Sequence, residues 1–266
     1  MPDPSVIFDR KRVRLHRERS ARLQGDDFLL REMVQRACEK LSELNREFPV
    51  ALDLGAHGGT FGRMAAGKFG VKTLIQSDLS IGMLCHAGGA RVVADEEFLP
   101  FAENSFDLCI TLGSLHVVND LPGALIQIRR ALKPGGVFVA MIPGGETLKE
   151  LRQSFEKAEM EISGGISPRV SPFVDAREMG ALLGRAGLKH PVIDTEVLNV
   201  EYDHPLKLLK ELRSIGEANA LIHSQKSFTP CPVIMAMADH YMRNFSNEAG
   251  RVNATFELVT MTAWKG

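Results

Sequence analysis

Short apolar runs alternate with helical patterns along the first half of the chain. The apolar runs that we predict as strands are 50–54, 73–78, 91–95, 106–112 and 137–142. Between the last two, residues 123–136 place Leu125, Ile128 and Leu132 on one face and end in two glycines, which predicts a helix. Parallel strands need crossover connections, and buried parallel strands are continuously apolar. The pattern therefore predicts an α/β fold, with a mostly parallel sheet and helices on both faces.

The second half of the chain is less regular. Its predicted helices are 147–161, 175–188, 204–221 and 232–246, with a strand or hairpin at 190–202 and a last strand at 254–265. These elements bring the predicted sheet to seven strands. We predict one domain, 46–266, with a helical insertion forming a cap at about 144–250, and a separate N-terminal segment at 1–45.

The bulk composition excludes several classes of protein. The chain has 266 residues, 44% hydrophobic and 24% charged, and a formal net charge of −1. Such a chain has no overall field to attract nucleic acid, and no apolar run reaches the roughly 20 residues of a membrane span. Its four cysteines lie far apart, so neither a disulfide framework nor a cysteine zinc site is indicated. We expect a cytoplasmic protein with no metal, no nucleic-acid partner and no transmembrane segment.

The N-terminal segment contains a basic stretch with helical character. Its basic residues are Arg10, Lys11, Arg12, Arg14, Arg17, Arg19 and Arg22. Interspersed acidic residues, including Asp9 and Glu18, argue against an organellar transit peptide. Two interpretations remain open: a solvated surface helix, or a helix that closes over a ligand or contacts an acidic partner.

The sharpest candidate site is a glycine-rich turn after the first strand. Residues 51–59 read ALDLGAHGG, and Asp78 ends the second strand 19 positions after Gly59. Such a turn lets the backbone approach a ligand closely, and an acidic residue about 20 positions on can hydrogen-bond ribose hydroxyls. The alternative is an ordinary strand-turn-helix corner with a solvated Asp78.

The details of the turn disfavour a dinucleotide. The G-x-G-x-x-G pattern is not satisfied, since Gly55 is followed two places later by His57. A pyrophosphate requires amides at a helix start with no opposing charge. Asp53, just before the turn, instead suits a cationic group, such as the amino group or sulfonium of S-adenosylmethionine.

Two further segments extend this candidate site. Asp95 and Glu96 lie at the end of the third strand, where a carboxylate can accept a hydrogen bond from an adenine amino group. The alternative is an ordinary turn whose neighbouring hydrophobic residues belong to the core. The fourth strand is followed by a loop that ends at His116. His116 is a candidate general base or polar anchor, and the alternative is a histidine with a purely structural role. We place Leu79 and Leu112 among the predicted cofactor contacts.

The order of these blocks resembles the class I methyltransferases. The blocks are LDLGAHGG (52–59), SDLS (77–80), ADEEFLPF (94–101), FDLCITLGSLHVVNDL (106–121) and LKPGG (132–136). Further blocks resemble the complex I assembly factor 5 family, which is similar to the malonyl-carrier-protein methyltransferases. They are FDR (8–10), NDLPGAL (119–125), GGETLKELR (144–152), SPRVSPF (167–173), LLGRAG (182–187) and the final WK (264–265).

The resemblance implies a Rossmann-like class I methyltransferase fold that holds S-adenosylmethionine. It implies these positions around the cofactor: Asp53, Gly55 and Gly59 at the methionine portion, Asp78 at the ribose, Asp95 and Glu96 at the adenine. The mitochondrial member of the family is associated with hydroxylating an arginine of a complex I subunit. The eight histidines are scattered along the chain, so they neither indicate nor exclude an iron site of the kind that hydroxylases use.

One residue departs from the family pattern D-L-G-x-G-x-G. His57 stands where the middle glycine is expected, and its side chain would crowd the ligand and require a backbone conformation that glycine tolerates more readily. We therefore also count His57 among the residues at the cofactor.

Three functions follow from these observations. The first is an S-adenosylmethionine-dependent methyltransferase acting on a small-molecule or protein acceptor. The second is an assembly factor or arginine hydroxylase for a respiratory complex I subunit, in the mitochondrial matrix if the source is eukaryotic. The third is a non-catalytic binding module whose cofactor binding is impaired by His57.

Overall fold

The computed structural model describes residues 6–23, 27–224 and 228–266. Its strands are β1 (Val50–Leu54), β2 (Thr73–Asp78), β3 (Ala90–Val93), β4 (Phe106–Leu112), β5 (Leu132–Pro143), β6 (Leu188–Tyr202) and β7 (Val252–Lys265). They form one seven-stranded sheet in the order β3-β2-β1-β4-β5-β7-β6, in which β7 runs antiparallel to both β5 and β6. The prediction of a mostly parallel, seven-stranded sheet is confirmed.

Helices cover both faces of this sheet. They are α1 (Arg10–Leu23), α2 (Phe28–Glu43), α3 (Thr60–Met64), α4 (Ile81–Leu84), α5 (Leu121–Ala131), α6 (Lys149–Ser163), α7 (Ala176–Arg185), α8 (Pro205–Ser214) and α9 (Cys231–Phe245). One core joins α5 and α7 to the sheet through Ile128 and Leu183, and the opposite core joins α2 and α3 through Val34 and Phe61. Continuous apolar strands have this arrangement because both of their faces are buried.

The helix predicted for 123–136 ends earlier, at Ala131. Leu132 adopts an extended backbone, with ψ 144°, and is the first residue of β5. Pro134 explains the difference, because proline disfavours the helical conformation in the residue before it and cannot donate within a helix. The LKPGG block therefore opens a strand, with Leu132 paired to Phe106 of β4.

The region predicted as a helical insertion contains part of the sheet domain. Within 144–250, α7 packs against the sheet core and β6 forms the edge strand beside β7. The remaining helices, α6, α8 and α9, share a separate apolar core through Phe155, Leu208 and Tyr241. We call these three helices the cap. In the described part of the chain no helix is both long and apolar enough to cross a bilayer.

The predicted N-terminal segment consists of two helices with different surroundings. The second, α2, packs on β4 and β5 and so belongs to the sheet domain. The basic helix, α1, lies against α4 and α8, between the carboxyl ends of the strands and the cap. This placement brings α1 over the candidate site.

Candidate functional site

The turn after β1 requires glycine at two positions. Gly55 and Gly59 have φ values of 71° and 76°, in the left-handed region that favours glycine. A β-carbon on Gly55 would lie 2.2 Å from Oγ of Ser114, and one on Gly59 would lie 2.8 Å from Cα of Ala87. The chain therefore passes too close to its neighbours for a side chain, as the sequence pattern predicts.

His57 occupies the same turn with a positive φ of 49°. Its backbone N–H donates to Oδ2 of Asp78 at 3.0 Å, and its ring Nε2 lies 3.2 Å from the carbonyl oxygen of Leu112. Because a carbonyl oxygen only accepts, Nε2 carries the proton. Burial and the charge of Arg17 lower the pKa of His57, which keeps the ring neutral. A buried, hydrogen-bonded imidazole thus stands where the pattern expects glycine.

We expect the change His57→Gly to strengthen binding of S-adenosylmethionine about fivefold. A ligand that needs the space of the ring must otherwise break the His57–Leu112 hydrogen bond, which contributes about 1 kcal/mol. Calorimetric titration measures the effect, and His57→Ala is the matched control because it removes the ring but retains the backbone strain. Equal or weaker binding by the glycine variant would show that the imidazole does not compete for the ligand's space.

The carboxylate of Asp78 is already saturated with hydrogen bonds. It has no exposed surface; Oδ1 accepts from the N–H of Ser80 at 2.8 Å, and Oδ2 accepts from His57 and from Nη1 of Arg17, the latter at 3.2 Å. The same Nη1 donates to Oε1 of Glu96 at 2.9 Å. Asp78, the residue predicted to bind the ribose, is therefore covered by Arg17 of α1.

A second arginine of α1 covers Asp95 and Glu96, the two residues predicted to bind the adenine. Nη2 of Arg10 donates to Oδ1 of Asp95 at 2.6 Å and also to Glu96. Burial alone would raise the pKa of Glu96, but Arg17, Arg10 and a hydrogen bond from Ser114 lower it to about 2, so the carboxyl is ionised. The basic helix thus contacts acidic side chains of its own chain, which neither interpretation from the sequence named.

Asp53 is the acidic residue of the site without a compensating cation. Burial, together with the nearby charge of Asp78, raises the pKa of Asp53 to about 8, so the side chain is protonated at neutral pH. Its Oδ2 is buried and has no hydrogen-bond partner. An orphaned oxygen of this kind fits a donor from a ligand.

A cavity of about 440 Å³ lies beside the glycine turn, beneath α1 and the cap. Its wall includes Gly58 from the turn, Ser20 from α1, Met33 from α2 and Phe256 from β7. That volume is within the range of small-molecule sites. Asp78, Glu96 and Arg17 are buried, and none of the three belongs to the cavity wall.

A hydrogen-bonded pair on the cavity wall joins the sheet domain to the segment after α8. Nε2 of His116, in the short 3₁₀ helix after β4, lies 2.9 Å from Oε2 of Glu217, in the loop after α8. Burial alone would raise the pKa of Glu217, but His116, His57 and Arg17 together lower it. The sequence singled out His116 and missed Glu217, which lies in no motif.

The predicted site residues therefore divide into three groups. His57 and Gly58 of the glycine turn belong to the cavity wall, and His57 contacts Leu112. Three of the predicted carboxylates, Asp78, Asp95 and Glu96, are paired with arginines of α1. Leu79 instead packs with the apolar cluster of Phe8 and Val13. Sequence reasoning missed Arg10 and Arg17; their spacing of seven, which places them on one helix face, was the available signal. Among the described residues, no three or more His, Cys, Asp or Glu side chains are grouped to hold a metal.

Comparison with known sequences connects this site to methyltransferases. A family model described as a methyltransferase domain matches residues 52–140. The mouse arginine-hydroxylase NDUFAF5, a mitochondrial protein, is 39% identical over 267 residues, covering 97% of this chain and 77% of that protein. The malonyl-[acyl-carrier protein] O-methyltransferase of Gallionella capsiferriformans is 31% identical, covering 97% of this chain and 92% of that one.

Comparison with solved structures supports the fold. The YcgJ protein of Bacillus subtilis superposes with a TM-score of 0.61 at 16% identity, covering 88% of this chain and 98% of that one. The [4+2]-cyclase SpnF superposes with a TM-score of 0.50 at 18% identity, covering 86% and 80%. The fold is thus shared by a protein named for a cyclisation, and the function must be argued from the site.

Proposed function

Because the chain belongs to the NDUFAF5 family of class I methyltransferases, we propose that it binds S-adenosylmethionine beside the glycine turn and transfers its methyl group to an acceptor in the cavity. One observation carries the proposal: Asp53, Asp78 and Glu96 converge at the carboxyl ends of neighbouring strands, around a turn that has no room for side chains at Gly55 and Gly59. Ligands of open α/β sheets bind at this edge.

The residues present fit the three parts of this cofactor. Asp78 would accept from the ribose hydroxyls, Asp95 and Glu96 from the adenine amino group, and the orphaned Oδ2 of Asp53 from the cationic methionine portion. When bound, S-adenosylmethionine supplies a methyl group activated by the positive sulfonium. The protein contributes positioning and exclusion of water, which suffice for most of the acceleration of an in-line transfer.

Binding by this route requires two arginine side chains of α1 to move. The guanidinium of Arg17 holds Oδ2 of Asp78, the oxygen that a ribose hydroxyl would use, and Arg10 holds Asp95. Ribose hydroxyls held by Asp78 would therefore take the place of the Arg17 guanidinium at Oδ2.

We expect binding of S-adenosylmethionine near pH 7 to release up to about one proton from Asp53. The sign follows from the pKa of about 8, since Asp53 is protonated before binding and a cation beside it favours the ionised form. Above about pH 9 the carboxyl is already ionised, and the release is expected to vanish. Calorimetry in two buffers of different ionisation enthalpy measures the proton count.

Two controls make this measurement specific. Asp53→Asn removes the ionisable group, so its binding is expected to release no proton. Methylthioadenosine, which has the nucleoside without the cationic methionine portion, is expected to bind the wild type without release. Proton release that persists in the asparagine variant would assign it to another group.

Methyl transfer itself is tested with S-adenosylmethionine labelled in the methyl group. The purified protein is incubated with an extract of a strain lacking the gene, and labelled products are separated. We expect labelled product that is absent when the protein carries Asp78→Ala. Saturable cofactor binding with no labelled product in any fraction would contradict a methyltransferase and favour a binding role.

Modification of an arginine is the second candidate, and one observation favours it. The carboxylates of the site already bind two guanidinium groups, those of Arg10 and Arg17, so their charge and geometry suit this group. Relatives at 37–39% identity are named arginine-hydroxylases and mitochondrial. The acceptor is then a protein, a respiratory complex I subunit, and the place of action is wherever that complex is assembled.

Mass spectrometry distinguishes the two candidates. Complex I subunits from a deletion strain and from its parent are digested, and arginine peptides are compared for added oxygen or methyl mass. Loss of an oxygen-bearing arginine peptide in the deletion strain supports hydroxylation. Identical arginine peptides in both strains would remove this candidate.

A further inference from the structure

The His116–Glu217 pair crosses the cavity between two parts of the fold. His116 follows β4 at the carboxyl edge of the sheet, and Glu217 follows α8 of the cap, 101 positions later. Both residues belong to the cavity wall, and the ring of Phe173 lies 6.1 Å from the imidazole. The pair is therefore placed where an acceptor beside the cofactor would lie.

The geometry of the pair assigns its proton. Glu217 is ionised and Oε2 only accepts, so Nε2 of His116 is the nitrogen that donates across the 2.9 Å contact. The other ring nitrogen, Nδ1, is buried and has no partner. The contact with Glu217 therefore leaves Nδ1 as the ring nitrogen that can take up a proton from an acceptor.

We propose that His116 is the general base of the transfer and that Glu217 is its positioning residue, an inference that rests on the proposed methyltransferase function. The acceptor atom forms a bond to the methyl carbon, and the carbon–sulfur bond breaks with its electron pair passing to sulfur. The proton lost by the acceptor passes to Nδ1 of His116. The carboxylate of Glu217 stabilises the imidazolium that results.

A base at this position restricts the class of acceptor. A carboxylate is already ionised at neutral pH and can be methylated without losing a proton. An amine, a guanidinium or a hydroxyl group must lose one. The pair therefore indicates an N–H or O–H acceptor.

Other charged groups lie near the pair and enter any comparison of variants. The remaining titratable residues on the cavity wall are Asp27, Arg63, His57 and His86, and Arg17 lies behind that wall. Of these, His57 and Arg17 act electrostatically on Glu217. The variants below leave all five unchanged.

The first test measures which ring nitrogen of His116 carries the proton. In protein labelled with ¹⁵N-histidine, long-range ¹H–¹⁵N correlation spectra identify which nitrogen of His116 is protonated, and the His116→Asn variant assigns the signal. We expect the Nε2–H form in the wild type and a mixture of both forms in Glu217→Leu, which removes the acceptor. A wild-type ring protonated on Nδ1 would overturn the proposal.

The second test uses the stability of the labelled product to alkali. Methyl esters of carboxylates release labelled methanol on alkaline treatment, whereas N-methyl groups and O-methyl ethers retain the label. We expect alkali-stable product, formed at least about 100-fold more slowly by His116→Asn with unchanged affinity for S-adenosylmethionine. Glu217→Gln, which keeps a hydrogen-bond acceptor without charge, is expected to fall between the wild type and Glu217→Leu.

The outcomes separate this inference from the function on which it rests. Label that is released by alkali, or a rate that His116→Asn leaves unchanged, overturns the role of His116 as general base but leaves the methyltransferase function standing. No labelled product from the wild type overturns both. Thermal unfolding of each variant, compared with the wild type, identifies loss of rate that comes from loss of fold.

Discussion

Replacement of Arg17 by methionine is expected to tighten binding of S-adenosylmethionine at least about tenfold while it destabilises the protein without ligand. Methionine matches much of the length of the side chain but cannot pair with Asp78 or Glu96, so two buried carboxylates lose their shared cation. Breaking a buried ion pair from one side costs about 3–5 kcal/mol. This loss of stability falls mainly on the ligand-free form, because in the proposed bound form the ribose replaces Arg17 at Asp78. Destabilising the free form more than the bound form increases the affinity for the ligand.

Urea denaturation without ligand and calorimetric titration measure the two effects. Arg14→Met is the matched control, since Arg14 lies on the same helix with an exposed side chain, and we expect it to change neither value. Weaker binding by Arg17→Met would mean that Arg17 contributes to the bound site instead of occupying it. Such a result would contradict displacement of Arg17 by the cofactor.

The second large effect is expected from Asp78→Ala. Loss of the proposed ribose acceptor weakens binding by about 1–3 kcal/mol, which corresponds to roughly 5- to 150-fold. The same change leaves Arg17 buried with one carboxylate fewer and leaves the N–H groups of His57 and Ser80 without their acceptor. We therefore also expect the free energy of unfolding to fall by about 3–5 kcal/mol.

A double-variant cycle separates these contributions. Because Arg17 and Asp78 are partners, the variant with both Arg17→Met and Asp78→Ala is expected to be more stable than the sum of the single changes predicts. Asp239→Ala, at an exposed position on α9, is the control for loss of an aspartate. Strictly additive losses of stability would show that Arg17 and Asp78 do not interact in solution.

Much of the site was predictable because its signals are local. The glycines at 55 and 59, with Asp78 at the end of the next strand, satisfy a spacing that follows from a strand, a turn and a helix of ordinary length. The strand bounds of β1, β2 and β4 agree with the apolar runs, since a buried parallel strand must be apolar along its whole length. The end of α5 was wrong by five residues because Pro134 outweighed the helical periodicity.

The partners of these residues were not predictable, because they lie far away along the chain. Arg17 meets Asp78 across 61 positions, and His116 meets Glu217 across 101. Neither separation corresponds to a helical or strand period, so no pattern along the chain relates the two members of either pair. Each pair depends on how α1 and the cap pack over the edge of the sheet.

By itself, the sequence determined the sheet, the glycine turn, the family and the set of acidic residues at the ends of the strands, because each depends on residues that are neighbours along the chain. Only the tertiary structure decided that α1 neutralises those carboxylates and that His116 has an ionised partner. Charges act through space, and burial strengthens them by removing water. Their effect on a site is therefore set by the packing of the elements that carry them.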